Sequence, residues 1–329
     1  MYFSWIYINK IVNNLVYITI PWLTLFLPNS RKMLRFGEAS FENLSDFLTI
    51  LNNKNKLHLE NVSSVCGKFK DKRVVEQTFL ICEEQGLDPL VGYHAIEILE
   101  RFMVKHIANL FSSQKSEVCE GVSCRSTEKY EDLLFQSLSE KFYIFILSSV
   151  QIASKLSLHS SVIDNNSASR YLQSVGSNCA REKLIESELL ILKTLDFKLS
   201  VPNPLSYVET LLDVLGHNDP TAPVAHLHHL CKYVLQFIYL QRDAIYHSLL
   251  MAATGHLGLS SAQRAQFVSV TEDYMLLGVG VITVAAFIYQ TFAWKKVVDE
   301  LTLITGISAK SIMDFAHVTL MHITESKSP

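Results

Sequence analysis

The sequence predicts an all-α protein built as two helical halves of about five helices each, preceded by short helices. Apolar residues recur at three- and four-residue spacing nearly everywhere after residue 40, the period of helices that each bury one face. Long strand-like alternation is absent, as are hairpin signals such as Asn-Gly between apolar runs. Each half also contains one almost uncharged stretch, 142–154 in the first and 274–294 in the second. That is the pattern of a helix enclosed by other helices.

Hydrophobic residues fill 49% and charged residues 19% of the 329 positions, which supports real cores and excludes a mainly disordered chain. At roughly 150 residues per domain, the length accommodates about two. With 29 basic and 32 acidic side chains the net charge is −3, so no general attraction draws the chain to nucleic acid or anionic membrane. The longest basic run, Lys68-Phe69-Lys70-Asp71-Lys72-Arg73, constitutes no direct nucleic-acid motif.

Residues 1–36 form a hydrophobic extension with Lys10, Arg31, Lys32 and Arg35 and no acid. Pro21 interrupts its apolar run and Pro28 ends it, whereas a spanning helix needs about 20 mainly apolar residues. Either an uncleaved signal anchor or an upstream extension ahead of a working start at Met33 fits. The extension is favoured, because the chain beyond Met33 reads as an intracellular domain.

Residues 37–69 hold an N-terminal helical segment, in which Phe41, Leu44, Leu48 and Leu51 share one face. The first half runs over 70–204. A helix over 74–84 ends at Gly86, and Asp88-Pro89 opens the next as N-cap and first helical residue. Ile96, Leu99, Met103, Ile107 and Leu110 form its buried stripe, with Glu97, Glu100, Arg101 and Lys105 largely turned away. The polar stretch 112–132 reads as an exposed loop of unusual length.

The helix 138–157 is apolar nearly all round and belongs at the centre of a bundle. Next come a short helix around 168–175 and one over 181–196 with Ile185, Leu189, Leu192 and Leu195 facing inward. Val201-Pro202-Asn203-Pro204 cannot continue a helix and makes a stiff connector. The second half, 205–322, contains helices near 205–215, 224–240, 243–253, 273–293, 295–304 and 308–322, with a tail at 323–329. By length alone 274–294 is a membrane-span candidate, against which stands the reading as a buried helix close-packed through Gly278, Gly280, Ala285 and Ala286.

No reactive constellation emerges. The six cysteines lack metal-ligand spacing, and His226, His228 and His229 have no acidic or cysteine neighbours at such spacing. No metal and no cofactor is expected. Phosphate-loop, nucleophile-elbow, HExxH and kinase signatures are all missing, so the chain is read as a non-enzyme.

Three segments resemble a cyclin box: Ala95–Met103 (AIEILERFM), Ile152–Leu156 (IASKL), and Glu188–Leu199 (ELLILKTLDFKL) with Pro202-Asn203-Pro204 just beyond it. Residues 95–104, Tyr207–Leu212 and Asp273–Leu277 narrow the resemblance to the cyclin N-terminal domain-containing proteins of the meiotic crossover type. The resemblance covers 70–204 by motif and 205–322 by helix pattern. It implies two cyclin-like five-helix folds in tandem, the second degenerate, and it identifies 274–294 with the central helix of that second fold.

By the same resemblance, Lys155 and Glu188 are the charged part of a face that docks a cyclin-dependent kinase. The alternative for this pair is an ion pair that only ties two helices together. Glu100 matches an acid that pairs with a base of the first helix, and Arg73 is the candidate base. The usual Trp of that helix is missing, and Phe79 is the nearest large aromatic. The implied function is a non-catalytic interaction protein promoting meiotic crossover formation (reciprocal recombination) on meiotic chromosomes in the nucleus, with a cyclin-dependent kinase and meiotic recombination proteins as partners. Two other readings stand beside it. One is a kinase-activating cyclin of the cell-cycle or transcription type. The other is a membrane-anchored scaffold using residues 11–27 and 274–294.

Overall fold

The computed structural model describes residues 36–62, 66–117, 124–157, 161–176, 181–200, 202–255, 267–289 and 294–326, and every regular element among them is helical. The hydrophobic extension, apart from Phe36, lies outside the described residues. The chain divides into two compact units, one spanning 65–201 and the other combining 1–64 with 202–329. Helix α1 (Phe41–Glu60), expected as a segment ahead of the first half, therefore belongs with the second unit.

The 65–201 unit contains α2 (Lys72–Glu84), α3 (Pro89–Glu117), α4 (Cys124–Leu156), α5 (Asn165–Ser174) and α6 (Arg181–Thr194). Local chemistry sets the helix starts. The Asp71 carboxylate accepts from the N–H groups of Arg73 and Val74, Asp164 accepts from Ser167, and Asp88 accepts from Leu90 ahead of Pro89. The expected loop at 112–132 is largely helical. Helix α3 continues through 117 and α4 begins at 124, as its Ser, Gln, Lys and Glu residues permit without needing a core.

Helix α4 is the axis of this unit and packs on α2, α3 and α6. Phe145, Leu147, Val150 and Ala153 are buried, and so are Ser148, Gln151 and Ser154. Partners hold those polar groups: Ser148 Oγ lies 2.9 Å from Ser187 Oγ, and Gln151 Nε2 donates to Asn165 Oδ1. Ser154 Oγ donates to the Gln151 carbonyl and accepts from Ile163 N–H.

On α3 the expected stripe holds at Ile96, Leu99 and Met103, which are buried, while Ile107 and Leu110 are half-buried. Glu97 and Glu100 overturn the expectation that they turn away, since they are 2% and 4% exposed. Lys70, itself 1% exposed, explains Glu97: its ammonium lies 2.8 Å from the carboxylate. Glu100 accepts from the backbone N–H groups of Gly67 and Phe69 at 2.6 and 2.8 Å. Arg73 is exposed, and no ion pair joins it to Glu100 among the described residues, so the expected Arg73–Glu100 pair is corrected. Asp71 caps α2 and turns its first residues outward, which leaves Lys70, just outside the helix, as the base that reaches α3. Phe79 meets Tyr93 edge-on with centroids 5.0 Å apart, and Gly92 leaves the room for its ring.

The other unit adds α7 (Pro204–Asn218), α8 (Val224–Leu240), α9 (Arg242–Thr254), α10 (Tyr274–Tyr289), α11 (Trp294–Thr305) and α12 (Ala309–Glu325) to α1. The Pro-Asn-Pro connector doubles as the start of α7, where the Asn203 side chain accepts from Leu205 N–H and Pro204 is the first helical residue. Helix α10 is enclosed by α7, α8, α11 and α12, with α1 against it as well. Nearly every residue from Tyr274 to Phe287 is buried. Among the described residues no helix is long and apolar enough to cross a membrane. The histidines of α8 are in packing contacts: His228 Nε2 lies 3.0 Å from Glu209, while His226 and His229 face the rings of Tyr289 and Tyr233.

Gly278 and Gly280 allow this close approach, and a methyl group at Gly280 would overlap the ring of the fully buried Phe315. Gly280→Ala is therefore expected to lower the thermal midpoint, with a cost of about 1–3 kcal/mol, and Phe315→Leu in the same chain to recover part of it. Removing one partner of a buried ion pair costs about 3–5 kcal/mol. Denaturant titration is expected to find Lys70→Met in that range, and Lys70→Met with Glu97→Leu less destabilised than the single variant.

Candidate docking face on the first unit

The last turn of α4 emerges from the core between two adjacent residues. Ser154 is fully buried, whereas the Lys155 side chain is 39% exposed. Its Nζ donates directly to Glu188 Oε1 on α6. The two residues singled out in the sequence are thus brought together, on the surface edge of the α4–α6 contact. Leu156 comes immediately after and is also exposed.

The register of α6 differs from the expected one. Leu184, Ser187 and Ile191 face the core, joined by Leu195 just past the helix end, while Ile185 and Leu189 are 43% and 42% exposed and Leu192 is half-buried. The helix carries two apolar stripes of similar length, about a hundred degrees apart. The Ser148–Ser187 hydrogen bond goes with the first of them. A helix turned to bury Ile185 and Leu189 would lose the serine pair and uncover Leu184 and Ile191. Glu188 lies on the border of the buried face, its side chain 14% exposed, and the second stripe is left beside the ion pair, open to solvent.

A second polar cluster holds the chain beyond α6. Asp196 and Phe197 both have positive φ, 51° and 56°, a conformation uncommon for residues other than glycine. Three residues of α3 fix it in place. Lys105 donates to the Asp196 carboxylate at 2.5 Å, Arg101 donates to the Lys198 carbonyl at 3.1 Å, and a ring nitrogen of His94 lies 3.3 Å from the Leu199 carbonyl. The Lys105 ammonium holds the Asp196 carboxyl below its usual range. Phe197 stands 65% exposed at the tip. The apolar spacing predicts Ile185 and Leu189 in the core and gives no account of an outward Phe197. The density of Leu and Ile on α6, one stripe more than a single buried face needs, was the available signal.

Chemically, these groups offer charge pairing and apolar burial. Among the described residues no group of three or more His, Cys, Asp or Glu side chains is placed to hold a metal ion. The ion pair with its apolar border offers a partner one ammonium, one carboxylate and several methyl-bearing side chains. The pair is partly solvated, the Lys155 side chain more so than that of Glu188, and ion pairs at a surface contribute about 1 kcal/mol or less to stability. Lys155→Ala is accordingly expected to shift the denaturant midpoint by that amount or less, well short of the Lys70→Met effect.

No family model matches the chain. The chain is 39% identical over 295 residues to human Cyclin N-terminal domain-containing protein 1, covering 90% of this chain and 88% of that protein. Its identity to the mouse protein of the same name is 37% over 300 residues, covering 90% and 87%. Similarity of this extent reaches both units of the structure. The chain belongs to the cyclin N-terminal domain-containing protein family.

Proposed function

We propose that the protein is a non-catalytic, cyclin-like interaction protein that promotes meiotic crossover formation and docks a cyclin-dependent kinase through the Lys155–Glu188 face. The observation that carries the docking reading is the meeting of Lys155 with Glu188 beside the exposed Ile185 and Leu189. A stability role alone leaves the uncovered apolar stripe unexplained. A partner that covers it gains hydrophobic burial of about 25 cal/mol per Å². Excluding water around the ion pair strengthens its electrostatic contacts with that partner. A cyclin acts through such binding energy, shifting a kinase between two conformational populations.

The crossover role rests on the family resemblance, and with it come the nucleus and meiotic chromosomes as location and recombination proteins as further partners. The buried, encircled environment of α10 supports this reading over a membrane-anchored scaffold that uses 274–294. The hydrophobic run at 11–27 falls outside the described residues.

The test is affinity purification of the full chain from meiotic tissue, with quantification of bound kinases. Lys155→Ala and Glu188→Gln are each expected to reduce recovery of a cyclin-dependent kinase by about tenfold or more, equivalent to at least 1.4 kcal/mol, with thermal midpoints lowered by only a few degrees. Cells carrying either variant are expected to form fewer crossovers. Equal kinase recovery from wild type and both variants would show that the pair only ties α4 to α6. Kinase activation by the recovered protein outside meiotic cells would favour a general cell-cycle or transcription cyclin.

A further inference from the structure

The start of α10 is unusual in how its backbone donors are satisfied. A helix leaves its first N–H groups without intrahelical acceptors. Here Asp273 Oδ1 accepts from the N–H groups of Met275 and Leu276, at 2.9 and 3.0 Å. The N–H of Tyr274 donates instead to Asn55 Oδ1 at 3.0 Å, on a residue 219 positions away in α1. The same Asn55 side chain donates through Nδ2 to Asp273 Oδ1 at 2.9 Å. A single amide thus uses both its ends, and it is one of only two fully buried residues of α1, the other being Leu44.

Other contacts reinforce the clamp. Tyr207 of α7 donates its hydroxyl to the Leu51 carbonyl at 3.0 Å, and the N–H of Gly37 donates to Asp213 Oδ1 at 2.5 Å. The His58 ring lies 5.2 Å from the Tyr274 ring, and His58 Nε2 is 3.5 Å from the Glu272 carboxylate. Glu272 is in turn held by the Arg242 guanidinium at 2.6 Å. The contacts therefore run along α1 and its lead-in, from residue 37 to residue 58.

We propose that α1 is a strap that completes the second unit by supplying, from the far end of the sequence, the capping group at the start of its buried central helix. The 65–201 unit is then an insertion between the strap and the body it closes. Displacing the strap leaves the Tyr274 N–H without its acceptor, releases the hold on the Asp273 carboxylate, and uncovers Tyr274 and the α7 surface around Tyr207. The amide is specific. Asp at position 55 keeps an acceptor but loses the donor and places a second carboxylate against Asp273. Leu has neither hydrogen-bonding end.

Hydrogen exchange on the intact full chain tests this directly. Asn55→Asp and Asn55→Leu are each expected to raise exchange at the amides of 274–277 by tenfold or more, with protection in α2–α6 unchanged. Unaltered protection at 274–277 in both variants would overturn the proposal, as would an equal loss throughout both units. A second measurement uses a full chain carrying a protease recognition sequence directly after Val62. After cleavage, the N-terminal piece is expected to remain bound through size-exclusion chromatography in the wild-type background and to separate in Asn55→Asp. Separation of the wild-type piece, or retention in both, would count against the strap.

Discussion

A helix with no polar side cannot lie on a surface facing water; it must be enclosed by other helices or by lipid. Two stretches of this chain impose that condition, the middle of α4 and nearly the whole of α10, and the remaining architecture answers it. Around α10 the enclosure is helical on all sides. The glycines at 278 and 280 bring neighbouring helices close, because Leu211, Tyr207 and Phe315 occupy the space a side chain there would need. Around α4 the enclosure is less uniform. Serines and a glutamine are buried with it, and their described hydrogen bonds tie α4 to α5 and the residues leading into it, to α6 or to its own turn.

The docking face arises where that enclosure stops. Ser154 is the last fully buried position of α4, and Lys155 is the first that reaches water. The ion pair with Glu188 therefore sits at the boundary between packing and solvent. There a charge pair adds little to stability and remains available to a partner. The contrast with Lys70 and Glu97 is instructive. That pair has the same chemistry but is almost wholly buried, so it belongs to the fold and has no surface to offer. Degree of burial, and not residue type, separates a structural ion pair from a candidate binding one.

Much of the helical layout was legible from patterning and punctuation. Asp88-Pro89 and Asn203-Pro204 marked helix starts because a short polar side chain ahead of proline suits the first turn and little else. The ends of α7 to α12 fall within a few residues of expectation. The polar 112–132 stretch misled, because polar residues without Pro are as compatible with an extended helix as with a loop. Glu97 and Glu100 misled because a charge reads as exposed until its partners are known, and those partners, Lys70 and two backbone N–H groups, precede α3 across a whole intervening helix. On the site, Lys155 and Glu188 were found by motif, whereas the exposed stripe of α6 was assigned to the core.

The sequence by itself determined the all-α class, the two enclosed helices and the identity of the charged pair, because each depends on local periodicity or on short runs of residues. Only the tertiary structure decided which of two apolar stripes on α6 is buried, which base serves Glu97, and which unit claims α1. Those choices are settled by contacts between segments distant in sequence, down to the bond between Asn55 and the start of α10. No local pattern encodes them, since each side chain was compatible with more than one partner until the helices were packed.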